Sequence, residues 1–83
     1  METDVIIGNT STNIIDENPE RLSMVITNLS DEIIYISHGS LAIMDTDLFI
    51  GPGDSYEMGG DYTSQITGIC GSGNKLVRVI ENS

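Results

Sequence analysis

Arg21-Leu22-Ser23-Met24-Val25-Ile26-Thr27-Asn28-Leu29-Ser30-Asp31-Glu32-Ile33-Ile34-Tyr35-Ile36-Ser37-His38-Gly39 is the stretch that decides the fold. Leu22, Met24 and Ile26 alternate with Ser23 and Thr27, the period of two of a strand with one face in a core, and Val25 alone breaks the polar side. The pattern predicts strands at about 21–29 and 32–38, reversed at Ser30-Asp31. In the second of these, Ile34 and Ile36 share one face while Ile33 and Tyr35 share the other, so burial of one side does not satisfy it. The C-terminal run Lys75 to Glu81 repeats the problem: Val77 and Val79 form one face, and Leu76 and Ile80 flank Arg78 on the other. Both second faces need cover, from another sheet and the N-terminal segment or from a neighbouring copy of the chain.

Outward from this stretch the composition is strand-forming throughout. Thirteen Ile, four Val and seven Thr stand against single Ala, Gln and Lys residues. Turn residues punctuate the chain at Asn9–Asn13, Asn18-Pro19, His38-Gly39-Ser40, Asp45-Thr46, Gly51-Pro52-Gly53-Asp54, Gly59-Gly60-Asp61 and Gly71-Ser72-Gly73-Asn74. Further strands are expected at about 4–7, 41–44, 48–50, 55–58, 64–70 and 75–81. Short strands at this spacing predict an all-β fold, a small antiparallel β-sandwich or jelly-roll-like barrel, because a parallel sheet needs helical crossovers. Residues 1–20 read as an N-terminal arm or edge segment, with 8–20 an arm or long loop pinned by Ile14-Ile15, and 21–83 as a single β domain. Gly68 is expected to allow a bulge that returns Ile69 to the face of Ile66.

A chain of 83 residues forms one small core, with four aromatic side chains, Phe49, Tyr35, Tyr56 and Tyr62, to fill it. Thirteen acidic residues against Arg21, Lys75 and Arg78 give a net charge of −10, which opposes nucleic-acid and anionic-membrane partners. The single Cys70 excludes an intrachain disulfide. An acidic start with only Val5–Ile7 as an apolar run does not fit a signal peptide, and no apolar run of about 18 residues spans a bilayer, so a cytosolic site of synthesis is expected. The glycosylation triplets at Asn9 and Asn28 then carry no meaning.

Chemical motifs are sparse. His38 has no second imidazole or thiolate at ligand spacing. Gly71-Ser72-Gly73 leads into a strand, unlike a nucleophile elbow, and neither Gly51-Pro52-Gly53 nor Gly59-Gly60 opens a helix that could meet a phosphate. Asp45 and Asp47, with Asp54, Glu57 and Asp61, offer oxygen ligands for calcium or simply solvated turns. The adjacent carboxylates at 16–17 and 31–32 point to opposite faces of a strand and cannot share a proton. The expectation is a protein that is not an enzyme and holds no cofactor. The tyrosines carry two readings, a core-edge ring with its hydroxyl on a loop carbonyl, or a contact to a neighbouring subunit. The second faces and the tyrosines together nominate Ile33, Tyr35, Tyr56, Tyr62, Leu76, Arg78 and Ile80 as a candidate interface.

Gly51-Pro52-Gly53-Asp54-Ser55-Tyr56-Glu57, then Asp61-Tyr62-Thr63 and the closing Lys75-Leu76-Val77-Arg78-Val79-Ile80-Glu81, resemble small virion-associated proteins of tailed bacteriophages and related viruses. Arg21–Ser30 and Ile33-Ile34-Tyr35-Ile36 resemble the opening strands of the same pattern, so the likeness runs over about residues 21–81. Where a related pattern has Gly after Tyr-Thr, this chain has Ser64, which leaves the register of the 64–70 strand open. The resemblance implies a β-structured capsid decoration, cement or fibre-base subunit that forms a homo-oligomer, contacts other capsid or virion proteins, and resides in a virion assembled in the host cytoplasm. The alternative is a receptor- or glycan-binding module acting through loops at 45–47, 51–54 and 59–62.

Overall fold

The alternation and the turns resolve into eight strands, in a computed structural model that describes residues 2–39, 41–46, 48–60 and 62–83. They are β1 (Glu2–Ile7), β2 (Thr12–Ile15), β3 (Ser23–Asn28), β4 (Ile34–His38), β5 (Phe49–Ile50), β6 (Ser55–Gly59), β7 (Ile66–Ile69) and β8 (Lys75–Asn82). The β5–β6 reversal shows how composition dictates the local path. Pro52 presets one backbone angle, Gly53 takes φ 79°, and the Asp54 amide donates to the Gly51 carbonyl at 3.0 Å, closing a type II turn.

The strands form two four-stranded sheets, in the orders β1-β8-β3-β6 and β2-β7-β4-β5. Every ladder is antiparallel, and the chain nests β1 with β8, β2 with β7, β3 with β6 and β4 with β5. Pairing of β3 with β8 and of β4 with β7 then wraps this long hairpin over itself. That is the jelly-roll order, in a sandwich whose sheets stay separate and do not close into a barrel.

Between the sheets lies an almost wholly aliphatic core. The first sheet contributes Ile7, Met24, Ile26, Val77 and Val79, and the second Ile14, Ile15, Ile34, Ile36, Ile50 and Ile66. Residues 12–15 are a strand where the sequence reads as an arm or loop. Thr12 pairs with Gly68, Asn13 with Thr67 and Ile15 with Ile66, leaving Ile14 as the extra residue of a bulge. The bulge turns two successive isoleucines into the same core, which regular alternation forbids. Gly68 itself is regularly paired with Ile36, so the bulge expected there sits on its partner strand instead. A Cβ on Gly68 would stand 2.6 Å from Ile14 Cδ1, so the glycine is the socket for that side chain.

Two further expectations are corrected. Leu22 precedes β3 and is 68% exposed, while the neighbouring Arg21 is buried at 2%, because Arg21 has buried polar partners and Leu22 has no core to meet. Residues 41–44 form no strand. They run as a strap outside the second sheet, where Ala42 is buried and its amide donates to Ser11 Oγ at 2.8 Å. Thr67, which faces outward beside Ser37, is covered and donates to the Gly39 carbonyl at 3.1 Å. Ser40, Asp47 and Asp61, named above in turns or as calcium ligands, lie outside the described residues.

Candidate functional site

Register and burial place the outward residues of the first sheet in rows. Glu2, Ile80, Val25 and Glu57 form one row, and Asp4, Arg78, Thr27 and Ser55 the next. Ile6 opposes Leu76, and the Leu29 amide bonds the Leu76 carbonyl at 3.0 Å, which extends a third row. Ile6, Leu29, Leu76 and Ile80 all stay exposed, so none of the described residues covers them. Arg78 lies across it, bonded through Nε to Asp4 Oδ1 at 2.9 Å. That hydrogen bond outweighs desolvation and holds the Asp4 carboxyl below its usual range.

On the second sheet the strap changes what solvent meets. Thr67 and Ile69 are buried on this side, Thr67 bonded to the Gly39 carbonyl just before the strap, while Leu41 and Ile43 of the strap are exposed, as are Phe49 and Ile33. Phe49 pairs with Tyr35 across the β4–β5 ladder, with ring centroids 6.2 Å apart and planes tilted by 56°. The rings, with Ile33, Thr46 and Asp45, line a recess of about 230 Å³. Asp45 takes φ 61°, a left-handed conformation open to Asp and Asn but hard for most other side chains. Burial, and then the hydrogen bond and charge of Asp45, push the Tyr35 phenol above its ordinary value.

A separate aromatic group sits where β6 of the first sheet meets β4 of the second. His38 Nε2 and the Tyr56 hydroxyl are 2.9 Å apart, and the His38 ring stacks on Tyr62 at 4.4 Å. Tyr62 donates its hydroxyl proton to the Gln65 carbonyl at 2.7 Å.

Buried polar hubs hold these surfaces in place. The Arg21 guanidinium donates to Glu81 Oε2 at 2.9 Å and to the carbonyls of Tyr62 at 3.0 Å, Ser64 at 3.3 Å and Asp16 at 2.7 Å, which joins β2, β8 and the loop before β7. Burial raises the Glu81 carboxyl, but hydrogen bonds from Arg21 and Asn18 more than offset it, and the group ends below its usual value. Asn28 is fully buried. Its amide donates to the Glu32 carbonyl at 2.6 Å and the Ile50 carbonyl at 2.9 Å, while its oxygen accepts from the Ser30 amide and hydroxyl. Glu32 accepts from the Ser72 hydroxyl and amide and so anchors the β7–β8 loop.

The nominated residues divide among these places. Leu76, Arg78 and Ile80 share the outer face of the first sheet, Ile33 and Tyr35 belong to the strap side, and Tyr56 and Tyr62 join His38 between the sheets. Ile6, Leu29, Leu41, Ile43 and Phe49 are not among the residues the sequence nominates, and Asp45, which it offers as a calcium ligand and in the 45–47 loop, stands instead beside the Tyr35–Phe49 pair. The alternation of Leu41 and Ile43 with Ala42 was the available signal, but it reads equally as a strand. Among the described residues no group of three potential metal ligands converges. Comparison of the chain with protein-family models, with curated proteins and with solved structures found no match in any of the three.

Proposed function

We propose that this protein is a virion structural subunit, of the capsid decoration, cement or vertex-associated kind, which self-associates and packs on other virion proteins. One observation carries the reading: both outer faces of the sandwich keep large apolar side chains in solvent, Ile6, Leu29, Leu76 and Ile80 on one and Ile33, Leu41, Ile43 and Phe49 on the other. On the first sheet Ile6, Leu76 and Leu29 form one apolar row, with Ile80 across the Arg78 row from it, and a chain this small has little spare apolar surface to leave exposed on both faces. The jelly-roll order is also an architecture of viral capsid domains, although it serves lectins and enzymes too, so the weight rests on the exposed faces.

Light scattering coupled to size-exclusion chromatography tests the reading. An oligomer that Leu76→Ser or Ile6→Ser dissociates, with the far-ultraviolet spectrum unchanged, supports it. A stable monomer at high concentration contradicts it. Location of the chain by density in an assembled particle then separates shell, vertex and no virion at all.

A further inference from the structure

We infer that the recess between Tyr35 and Phe49 receives a lysine or arginine side chain of the protein on which the subunit docks, with Asp45 as its counter-ion. The identification of that docking partner rests on the assembly reading above; the chemistry of the recess does not. Two aromatic rings tilted across a strand pair present π faces, and Ile33 adds an aliphatic wall for the methylene stem. The Asp45 carboxylate closes the third side, and its two oxygens offer several lone pairs to an incoming cation. A volume near 230 Å³ is below the ordinary range for a cofactor or drug-sized ligand, of about 300–1,000 Å³, and suits a single side-chain head.

Charge decides where that cation comes from. The chain's basic side chains are all engaged: Arg21 on Glu81 inside the fold, Lys75 on Asp31, and Arg78 on Asp4 on the opposite sheet. None of them lines the recess. A surface of net charge −10 attracts a basic partner and repels a second copy presented through the same face. Leu41 and Ile43, exposed on the neighbouring strap, give such a partner apolar contact around the inserted cation.

The test is a chemical-shift titration of the whole protein with N-acetyl-lysine methylamide and N-acetyl-arginine methylamide, and with the uncharged norleucine analogue. The cationic probes are expected to shift the amides of Ile33, Tyr35, Asp45, Thr46 and Phe49, and to bind at least about fivefold more tightly than norleucine. Asp45→Asn keeps the left-handed turn and removes the charge, and Phe49→Leu keeps apolar bulk and removes the ring. Each is expected to weaken the cationic probes by about fivefold to tenfold while Leu22→Ala, in the exposed segment before β3, changes nothing. Equal binding of norleucine, shifts spread evenly over Asp16, Glu17 and Glu57, or an unchanged Asp45→Asn overturns the inference. A monomer that still binds the cationic probes at the recess removes the assembly reading and leaves the recess standing. An oligomer without this binding removes the recess alone.

Discussion

Replacing Arg21 with Lys keeps the charge and discards the fork, and the structure sets what that should do. The guanidinium places Nε on Glu81, Nη1 on the Tyr62 and Ser64 carbonyls, and Nη2 on the Asp16 carbonyl, at 2.7–3.3 Å, with the Arg21 side chain wholly out of solvent. An ammonium that stays with Glu81 cannot span the carbonyls as well. With a charged hydrogen bond contributing about 1.5–3 kcal/mol, loss of even two, partly relieved by water, destabilises by about 3 kcal/mol. At roughly 0.05–0.15 kcal/mol per residue the domain holds only about 4–12 kcal/mol in total. Urea unfolding followed by circular dichroism should therefore show Arg21→Lys with a midpoint lower by about 2–3 M, for a slope near 1 kcal/mol/M. Arg21→Met should destabilise more, about 3–5 kcal/mol, since Glu81 is left in a buried site with its strongest partner gone.

The pH dependence gives the sharper check. In the native protein the folded-state value of Glu81 lies below its unfolded value, so its contribution is complete above the ordinary carboxylate range and lost as pH falls through the depressed value. Removal of Arg21 takes away the largest of the contributions that lower the Glu81 carboxyl, so its folded value rises toward the unfolded one. The stabilisation that the ionised group supplies at neutral pH is then reduced in the variant, and the native protein gives up its own share as pH falls and Glu81 is protonated. The deficit of Arg21→Met relative to the native protein should thus shrink between pH 7 and pH 4. A deficit that is constant over this range, or below about 0.5 kcal/mol throughout, would refute the assignment of Arg21 as the hub joining β2, β8 and the loop before β7.

Asn28→Ala strips both carbonyl partners and the Ser30 bonds from a fully buried site, and should lower stability by about 3 kcal/mol in the same urea assay. Gly68→Ala drives a methyl to within 2.6 Å of Ile14 Cδ1 and should destabilise by about 1–3 kcal/mol, and the double change with Ile14→Val, which deletes that atom, should recover much of the loss. Cys70 is fully buried, so its thiol should react with a disulfide reagent at the rate of unfolding and accelerate only in denaturant. Fast reaction in native buffer would contradict its burial.

Much of the fold is written in local chemistry. Alternation in Met24–Ile26 and Ile34–Ile36, the excess of β-branched residues and the Pro52-Gly53 turn specify strands and a two-sheet packing, because pleat geometry and φ preferences act within a few residues. The two-sided apolar character of residues 33–36 and 76–80 is equally local, and it marks strands whose second faces regular one-sided burial does not cover. Tertiary structure alone decided that the two cases differ: the chain straps itself over part of the β4 side, while Leu76 and Ile80 on β8 stay open. Pairing between strands far apart in the chain, β1 with β8 and β2 with β7, set that outcome, turned Ile14-Ile15 into a bulged strand facing Gly68 and buried Arg21 against Glu81. Such contacts depend on which distant segments share a sheet, and no window of sequence holds that information, because loop closure is nearly indifferent to which of many similar strands it joins.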